Sequence, residues 1–447
     1  MTPDVQFLLL LAVIALLFIT ELIPLAVTSI GGAVACGLLG FITPKAVFSG
    51  LSNSSVLLFA GMFVVGAAMF HTGLAQNIGK KVVSVFGTSE KSLMLGIMII
   101  GAVLSGFLSN TGTTACLMPV VLGICSAARL PASRQLLPLA FGIAFGGIFT
   151  IIGTPPNLIA SNALVEAGFR PFGFFEFAWV GIPIAIAGTL YMMFIGYRFL
   201  PKVNAAADIE IEQEFDVSND NPQKQLISGL ILLGVVIVMA LNLKFITLEM
   251  AAVIGALVAI LTGCLTEKQA YASIDWVSIF LFAGMISVSS AMDKTGAGKL
   301  LAKFCVDLLG GTPSPLFVAA LLFLVSSFLT QFMSNTATAT LLCPIGVAIA
   351  QQIGASPHAV VMSITIGIAC AYATPVGTPP NTLVLGPGGY RFMDYVKVGT
   401  PLIFVSFIVS MIVIPIVWPF FKINFHSTCS AAGAVYFIAN LFLSPAP

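Results

Sequence analysis

The sequence predicts an all-α polytopic membrane protein made of two inverted-topology repeats, with about ten transmembrane helices, two re-entrant hairpins and two broken helices. The first observation behind this prediction is composition: 58% of the 447 residues are hydrophobic and only 8% are charged, whereas about a quarter of the residues in an ordinary soluble domain are charged. The second is internal repetition, because distinctive motifs recur at a nearly constant interval along the chain.

Apolar runs fill most of the chain. A membrane-spanning helix needs about 20 mostly apolar residues, and three such spans are expected in each half: 5–22, 25–42 and 53–70, then 226–243, 248–265 and 276–292. No basic residue precedes the first span and no small-residue cleavage site follows it, so we expect a retained helix and not a signal peptide. The stretches 74–92 and 297–312 mix lysines with apolar residues, which predicts amphipathic arms along the membrane surface.

Three motifs align the two halves of the chain. "LFAGM" occurs at 58–62 and 281–285, "SNT" at 109–111 and 334–336, and "GTPPN" at 153–157 and 377–381. The interval stays between 223 and 225 residues, and chance similarity between apolar sequences would not keep register over such a length. We therefore expect repeat 1 at 1–200, a polar linker at 201–225, repeat 2 at 226–424 and a C-terminal tail at 425–447.

Each repeat contains two interrupted apolar segments. The segments 94–127 and 314–352, with SNT near the middle, predict re-entrant hairpins, and 137–167 and 360–388 predict helices broken at GTPPN. If each hairpin returns to its own side, each repeat crosses five times, and an odd number of crossings inverts the second copy. Inverted repeats with matched Gly- or Pro-interrupted segments are typical of secondary transporters.

The linker sets the expected orientation. Residues 201–225 are rich in Asp and Glu, and we expect them to be solvated. Placing the linker in the cytoplasm puts eleven Lys and Arg residues on the cytoplasmic side and seven outside, in agreement with the positive-inside rule.

The interrupted segments have the chemistry of an ion site. Backbone that leaves a helix inside the membrane is tolerated only where it lines a cavity or meets a partner. Free carbonyls with Ser and Asn oxygens suit a small cation, and helix N-termini suit an anion. Ser105 and Ser109, like Thr330 and Ser334, are four residues apart, a spacing that would put both hydroxyls on one helical face. One such pair is more often a packing feature, but its duplication beside a duplicated break favours binding.

Several function classes are excluded or disfavoured. A net charge of +1 gives no reason to expect nucleic acid as a partner, and the eight cysteines and three histidines have no metal-site spacing. Ser109 and Ser334 have no His or Asp within their segments, so an enzyme nucleophile lacks its base. A channel needs one continuous polar path, whereas two mirrored pockets suit alternating access. No Lys, Arg or His lies at the middle of a span, so a bound anion requires helix N-termini and co-bound cations for neutralisation.

The SNT pair, the GTPPN pair and "TELIPLAVTS" at 20–29 resemble the divalent anion/sodium symporter family, which transports dicarboxylates, citrate and sulfate. The resemblance covers nearly the whole chain and implies a homodimer whose protomers have a scaffold part and a transport part that moves as an elevator. It implies one sodium site at Ser105, Ser109, Asn110 and Gly153, and a second at Thr330, Asn335 and Gly377. It implies substrate contacts at Asn110, Thr111, Thr154, Pro155, Ser334, Asn335, Thr336, Thr378 and Pro379.

The sequence therefore predicts a multi-pass transporter in the cell membrane that carries small divalent organic anions together with Na⁺. C4-dicarboxylates of the succinate, malate or fumarate class are the expected substrates, and the lipid bilayer and a second copy of the chain are the expected partners. A sodium-independent dicarboxylate exchanger and a sulfate or citrate carrier of the same fold are the alternatives.

Overall fold

The computed structural model describes residues 2–20, 22–86, 89–202, 221–241, 243, 245–309, 311 and 313–420. Within these residues every regular element is a helix. The α-helices are α1 (Pro3–Thr20), α2 (Leu25–Leu38), α3 (Pro44–Val47), α4 (Ser54–His71), α5 (Leu74–Phe86), α6 (Glu90–Ser105), α7 (Asn110–Ala128), α8 (Leu136–Gly146), α9 (Pro155–Glu166), α10 (Ala178–Phe194), α11 (Pro222–Leu241), α12 (Leu248–Leu261), α13 (Glu267–Ala272), α14 (Trp276–Thr295), α15 (Ala297–Leu308), α16 (Pro315–Leu329), α17 (Asn335–Gln352), α18 (Pro357–Ala369), α19 (Pro379–Leu385) and α20 (Phe392–Val417). The predicted tail at 425–447 and most of the predicted linker, 203–220, lie outside the described residues.

The long apolar helices make this a multi-pass membrane protein, as the composition predicts. By length and composition, α1, α4, α7, α11, α14 and α20 can each cross a membrane, and α2, α10, α12, α16 and α18 are shorter apolar helices. Large apolar side chains face outward: Leu38 at the end of α2 and Leu261 at the end of α12 are both 84% exposed. Such an apolar outer surface matches hydrocarbon and not water.

Two helices have the amphipathic pattern expected of surface arms. α15 buries Gly298, Ala302 and Val306, which are four residues apart and so lie on one face. Lys303, on another face of the same helix, is exposed. α5 has the corresponding position in the first half and links α4 to the first hairpin segment.

One group of helices interlocks the two halves of the chain. α2 packs against α14, and α12 packs against α4. Both contacts are close enough to need glycine. A Cβ added at Gly61 would lie 2.8 Å from the carbonyl carbon of Ala252, and a Cβ added at Gly284 would lie 2.7 Å from the carbonyl carbon of Ser29. The Ser29 hydroxyl also donates to the carbonyl of Leu281 at 2.6 Å. Each half therefore completes this group only with helices of the other half.

The second group contains the interrupted segments. α6 packs against α8, α16 against α18, and α10 against α20. A Cβ added at Gly142 would lie 2.7 Å from the Met98 backbone, and a Cβ added at Gly367 would lie 2.5 Å from the Phe323 carbonyl oxygen. These contacts recur at an interval of 225 residues, so the duplication in sequence is also a duplication in packing. The limits of the two repeats and the inversion of one relative to the other stay predictions.

An ion pair between exposed Arg170 and buried Glu176 ties the loop before α10 to the second half. Arg170 donates through both terminal nitrogens to the Glu176 carboxylate, each at 2.8 Å, and the Trp418 indole N–H donates to it at 2.7 Å. The Gly173 amide adds a fourth donor at 2.7 Å. Burial by itself would raise the pKa of the Glu176 carboxyl, but the Arg170 guanidinium and the other donors hold that pKa below its ordinary value.

Candidate cation and substrate site

The first hairpin tip joins α6 to α7 through the four residues 106–109. α7 begins at Asn110 because Ser109 is its N-cap: the Ser109 hydroxyl accepts from the Gly112 N–H at 3.1 Å. At the end of α6, the Ser105 hydroxyl donates to the side-chain oxygen of Asn110. The tip is therefore a compact group of hydroxyl and amide oxygens.

The expectation that Ser105 and Ser109 share one helical face is wrong. α6 ends at Ser105, and Ser109 has the extended backbone of an N-cap, with φ −62° and ψ 139°. Thr330 and Ser334 repeat this arrangement at the end of α16 and the start of α17. The chain reverses between the two hydroxyls, so the hydrogen bond to the following Asn, and not helical periodicity, builds the polar group.

The first break separates α8 from α9. Pro155 stands at the first helical position of α9, where its missing N–H costs nothing. Asn157 is fully buried, and its side-chain amide donates to the carbonyls of Gly147 and Thr150, both at 2.8 Å. The last carbonyls of a helix have no partner within the helix, so Asn157 stabilises the broken segment from inside the motif.

The first tip contacts the first break at Gly147. An added Cβ there would lie 3.1 Å from the Asn110 side-chain nitrogen and 2.6 Å from the Thr154 methyl group. An added Cβ at Gly153 would lie 2.5 Å from the Gly147 carbonyl oxygen. Ser105 reaches this group through its hydrogen bond to Asn110. The predicted residues Ser105, Asn110, Gly153 and Thr154 therefore lie around the non-helical backbone at Gly147.

The second tip and break repeat the arrangement. The Thr330 hydroxyl donates to the Asn335 side-chain oxygen at 2.6 Å. The Asn381 side-chain amide donates to the carbonyls of Ala371 and Thr374 at 2.8 and 2.9 Å. An added Cβ at Gly377 would lie 2.9 Å from the Thr330 carbonyl oxygen. Thr330, Asn335 and Gly377 therefore form a second group equivalent to the first.

Helix packing links the hairpin of each half to a helix of the other half. α7 packs against α19, and α17 packs against α9. Each hairpin therefore contacts the half-helix that follows the break of the other half. A ligand held between the two tips would be bound by both halves of the chain.

The predicted residues differ in how accessible they are. Ser105, Gly153, Thr154, Thr330, Thr336, Gly377 and Thr378 are buried, Ser109, Asn110, Pro155, Ser334 and Asn335 are half-buried, and Thr111 and Pro379 are exposed. Thr111 and Thr336 each lie one residue beyond the Asn of their motif, and Thr378 and Pro379 lie where α19 begins. The cation candidates therefore lie deeper than several of the substrate candidates.

The electrostatics of the site come from backbone dipoles. The helices α7, α9, α17 and α19 contain no Lys, Arg or His. α7, α9 and α17 begin at the site, and a helix N-terminus carries roughly half a positive charge. α8 ends at Gly146 and α18 at Ala369, a few residues before the breaks, so each break follows a negative helix end. The site can thus offer positive helix ends to an anion and oxygen atoms to a cation.

Sequence reasoning missed the residues that hold the breaks. Asn157 and Asn381 are the last letters of the two GTPPN motifs, and Thr150 and Thr374 precede them at the same interval. The Thr150 hydroxyl donates to the Gly106 carbonyl at 2.5 Å, and the Thr374 hydroxyl donates to the Gln331 carbonyl at 2.7 Å. The repetition of this Thr and Asn at the same spacing in both halves is the sequence signal that could have identified these residues.

The sequence of this chain is similar to those of known transporters. The family model described as "Citrate transporter" (CitMHS) matches residues 15–367. The chain is 31% identical to an "uncharacterized transporter" of Haemophilus influenzae, over 87% of each protein. It is 27% identical to the sodium-dependent dicarboxylate transporter SdcS of Staphylococcus aureus, over 91% of this chain and 84% of SdcS.

A solved structure shows the same fold. The YdaH transporter of Alcanivorax borkumensis superposes with a TM-score of 0.62, covering 93% of this chain and 98% of that one, at 16% sequence identity. At this identity the likeness concerns the fold alone. The family model and the relatives above are all transport proteins.

Proposed function

The chain belongs to the citrate transporter family, and from that premise we propose that it is a sodium-coupled symporter of small organic dianions, with C4-dicarboxylates as its substrates. The family makes it a transporter of the cell membrane and not an enzyme. The proposal concerns the substrate, the coupling ion and the mechanism. The similarity to SdcS supports both the dicarboxylate and the sodium ion.

The observation that carries the proposal is the duplicated group of oxygen atoms. Ser105 with Asn110 and Thr330 with Asn335 each place a hydroxyl on an amide oxygen beside a broken helix. Hard oxygen ligands without carboxylates suit a small monovalent cation better than a transition metal, which prefers nitrogen and sulfur. We assign Ser109, Gly153 and Gly377 to the same two sodium sites.

Charge balance explains why sodium and anion would travel together. A dicarboxylate brings two negative charges to a site where the helices that follow the tips and the breaks, α7, α9, α17 and α19, contain no Lys, Arg or His. Helix N-termini offset part of that charge. Two opposite unit charges ~4 Å apart attract by roughly 4 kcal/mol at an intermediate effective dielectric constant. Bound sodium would supply the remaining positive charge, so the anion would bind well only after the cation.

The substrate would lie between the two tips. In this proposal its carboxylates meet Asn110, Thr111, Thr154 and Pro155 from one half and Ser334, Asn335, Thr336, Thr378 and Pro379 from the other. The proposed movement is an elevator, in which the group of α6–α10 and α16–α20 moves against the interlocked group of α1–α4 and α11–α14, in a homodimer. The separation of the packing into these two groups supports that division.

The experiment is succinate uptake into proteoliposomes. With an inward sodium gradient we expect accumulation of labelled succinate, and with choline in place of sodium we expect uptake at the level of empty liposomes. Equal uptake under both conditions would replace symport by sodium-independent exchange. If no succinate is taken up under either condition, the proposal that dicarboxylates are the substrates is wrong.

Citrate is the second candidate substrate, because the family model that matches the chain is described by citrate. Unlabelled citrate, malate, fumarate and sulfate should therefore be tested as competitors of succinate. Stronger inhibition by citrate than by malate and fumarate would move the assignment to a tricarboxylate.

A further inference from the structure

The two breaks satisfy the same pair of backbone groups in different ways. In the first half, the Phe149 N–H donates directly to the Gly146 carbonyl at 2.9 Å. Counted back from GTPPN at the interval of that motif, 224 residues, the corresponding residues in the second half are Ala373 and Cys370. The hydrogen bonds of Asn157 to Gly147 and of Asn381 to Ala371 keep the same interval. In the second half the Ala373 N–H donates to the side-chain oxygen of Gln331 at 3.0 Å, and the Gln331 side-chain nitrogen donates to the Cys370 carbonyl at 2.9 Å. An amide group thus stands between a donor and an acceptor that meet directly in the other half.

The side-chain nitrogen and the side-chain oxygen of Gln331 both have hydrogen-bond partners in this position. It is 5% exposed, and its side-chain nitrogen also donates to the Ser327 carbonyl at 2.8 Å. Its backbone carbonyl accepts from the Thr374 hydroxyl at 2.7 Å. A buried amide with every group paired keeps one orientation, because any other leaves polar atoms unsatisfied.

The first half has Gly106 at the equivalent position. Thr150 donates to the Gly106 carbonyl as Thr374 does to that of Gln331, so the backbones correspond. An added Cβ at Gly106 would lie 3.5 Å from the Gly146 carbonyl oxygen and 3.5 Å from the Phe149 Cβ. A side chain at this position therefore projects toward the same backbone pair. Because Gly106 has no side chain, the Phe149 N–H and the Gly146 carbonyl in the first half can bond directly.

We propose that Gln331 is a positioning residue that holds the second break open and makes the second cation site unequal to the first. Gln331 directly follows Thr330, whose hydroxyl lies within hydrogen-bond distance of the Asn335 side-chain oxygen, at 2.6 Å, and of the Ile368 carbonyl oxygen, at 3.1 Å. By bridging Cys370 and Ala373, it fixes the spacing between tip and break before a cation arrives. The first tip lacks this bridge. A preorganised site loses less free energy to ordering when it binds, so the second site takes sodium more tightly.

This inference rests on the proposed sodium coupling, and its test uses paired variants of the two positions. Gln331→Gly copies the first half, and Gly106→Ala is the matched control because a Cβ fits there at ordinary contact distance. Two properties are measured over a sodium series at constant ionic strength: thermal stabilisation of the full chain in detergent and the initial rate of succinate uptake. We expect Gln331→Gly to weaken sodium binding at the second site by about tenfold, which corresponds to about 1.4 kcal/mol. The sodium concentration that gives a stated thermal stabilisation should rise accordingly, whereas half-maximal uptake, which the weaker first site limits, should shift less. The uptake rate at saturating sodium should be kept, and Gly106→Ala should behave as wild type.

The outcomes separate positioning from general stability. Gln331→Met fills a similar volume without the amide, and it provides the same measurement if the glycine variant does not fold. A lower unfolding temperature with an unchanged stabilisation by sodium in either variant would overturn the inference and leave sodium coupling intact. If wild type itself shows no response to sodium in either measurement, sodium coupling fails first, and the inference fails with it.

Discussion

Removing the side-chain amide of Asn157 should both destabilise the protein and impair transport. This side chain is fully buried and donates to two carbonyls of the first break at 2.8 Å. Each net hydrogen bond contributes about 1 kcal/mol, and an acceptor left buried without a partner costs about 1–3 kcal/mol. For Asn157→Ala we expect a loss of about 2–3 kcal/mol. The loss falls on the segment around Gly147, which lies next to both Gly153 and Asn110, so the proposed first cation site should lose its shape.

Thermal unfolding in detergent and sodium-driven uptake in proteoliposomes measure the two effects. The matched control is Asn162→Ala, on the same helix, since the Asn162 side chain donates to the exposed Glu166 carboxylate at 3.0 Å. We expect Asn157→Ala to lower the unfolding temperature by a few degrees and uptake at least tenfold, and Asn162→Ala to change neither. Wild-type unfolding temperature and uptake in Asn157→Ala would refute the role assigned to this amide.

Three further predictions concern other parts of the molecule. Asn110→Ala and Asn335→Ala should each abolish sodium-driven succinate uptake while the protein still inserts and purifies as wild type; full activity of either variant would contradict the two-site arrangement. Gly61→Val should destabilise the protein by at least 1–3 kcal/mol in the manner of core overpacking, because its Cβ would meet the α12 backbone, whereas Gly31→Val, with nothing within 4 Å of an added Cβ, should unfold as wild type does; equal unfolding temperatures would contradict the close approach. Because the pKa of Glu176 is held below its ordinary 4.5, its stabilising contribution is present above about pH 4.5 and is lost as the pH falls further; Glu176→Gln should therefore be less stable than wild type at pH 7, by a difference that shrinks as the pH falls below 4.5, and a difference that stays constant would contradict the ion pair.

The sequence predicted the helical membrane class and the position of the breaks for local physical reasons. A chain that is 58% hydrophobic and 8% charged cannot cover a water-facing surface. Pro155 and Pro379 lack an N–H and fix the start of α9 and α19. The SNT motifs mark helix starts because Ser109 and Ser334 cap them. These signals depend only on neighbouring residues, so they could be read without the fold.

What the sequence alone determined is that this chain is a duplicated, helical membrane protein with two oxygen-rich interruptions in each half. Only the tertiary structure decided which helices meet: α2 with α14, α4 with α12, and each hairpin with the half-helix of the other half. Those partners are chosen by close contacts such as Gly61 against Ala252, between residues far apart in the chain, which apolar periodicity does not specify. The structure also decided that Ser105 ends α6 whereas Ser109 caps α7. It decided too that the Gln331 amide bridges Cys370 and Ala373, whereas Gly146 and Phe149 bond directly in the first half. A side-chain hydrogen bond between residues far apart in the chain depends on the packed backbone, so no local sequence pattern predicts it.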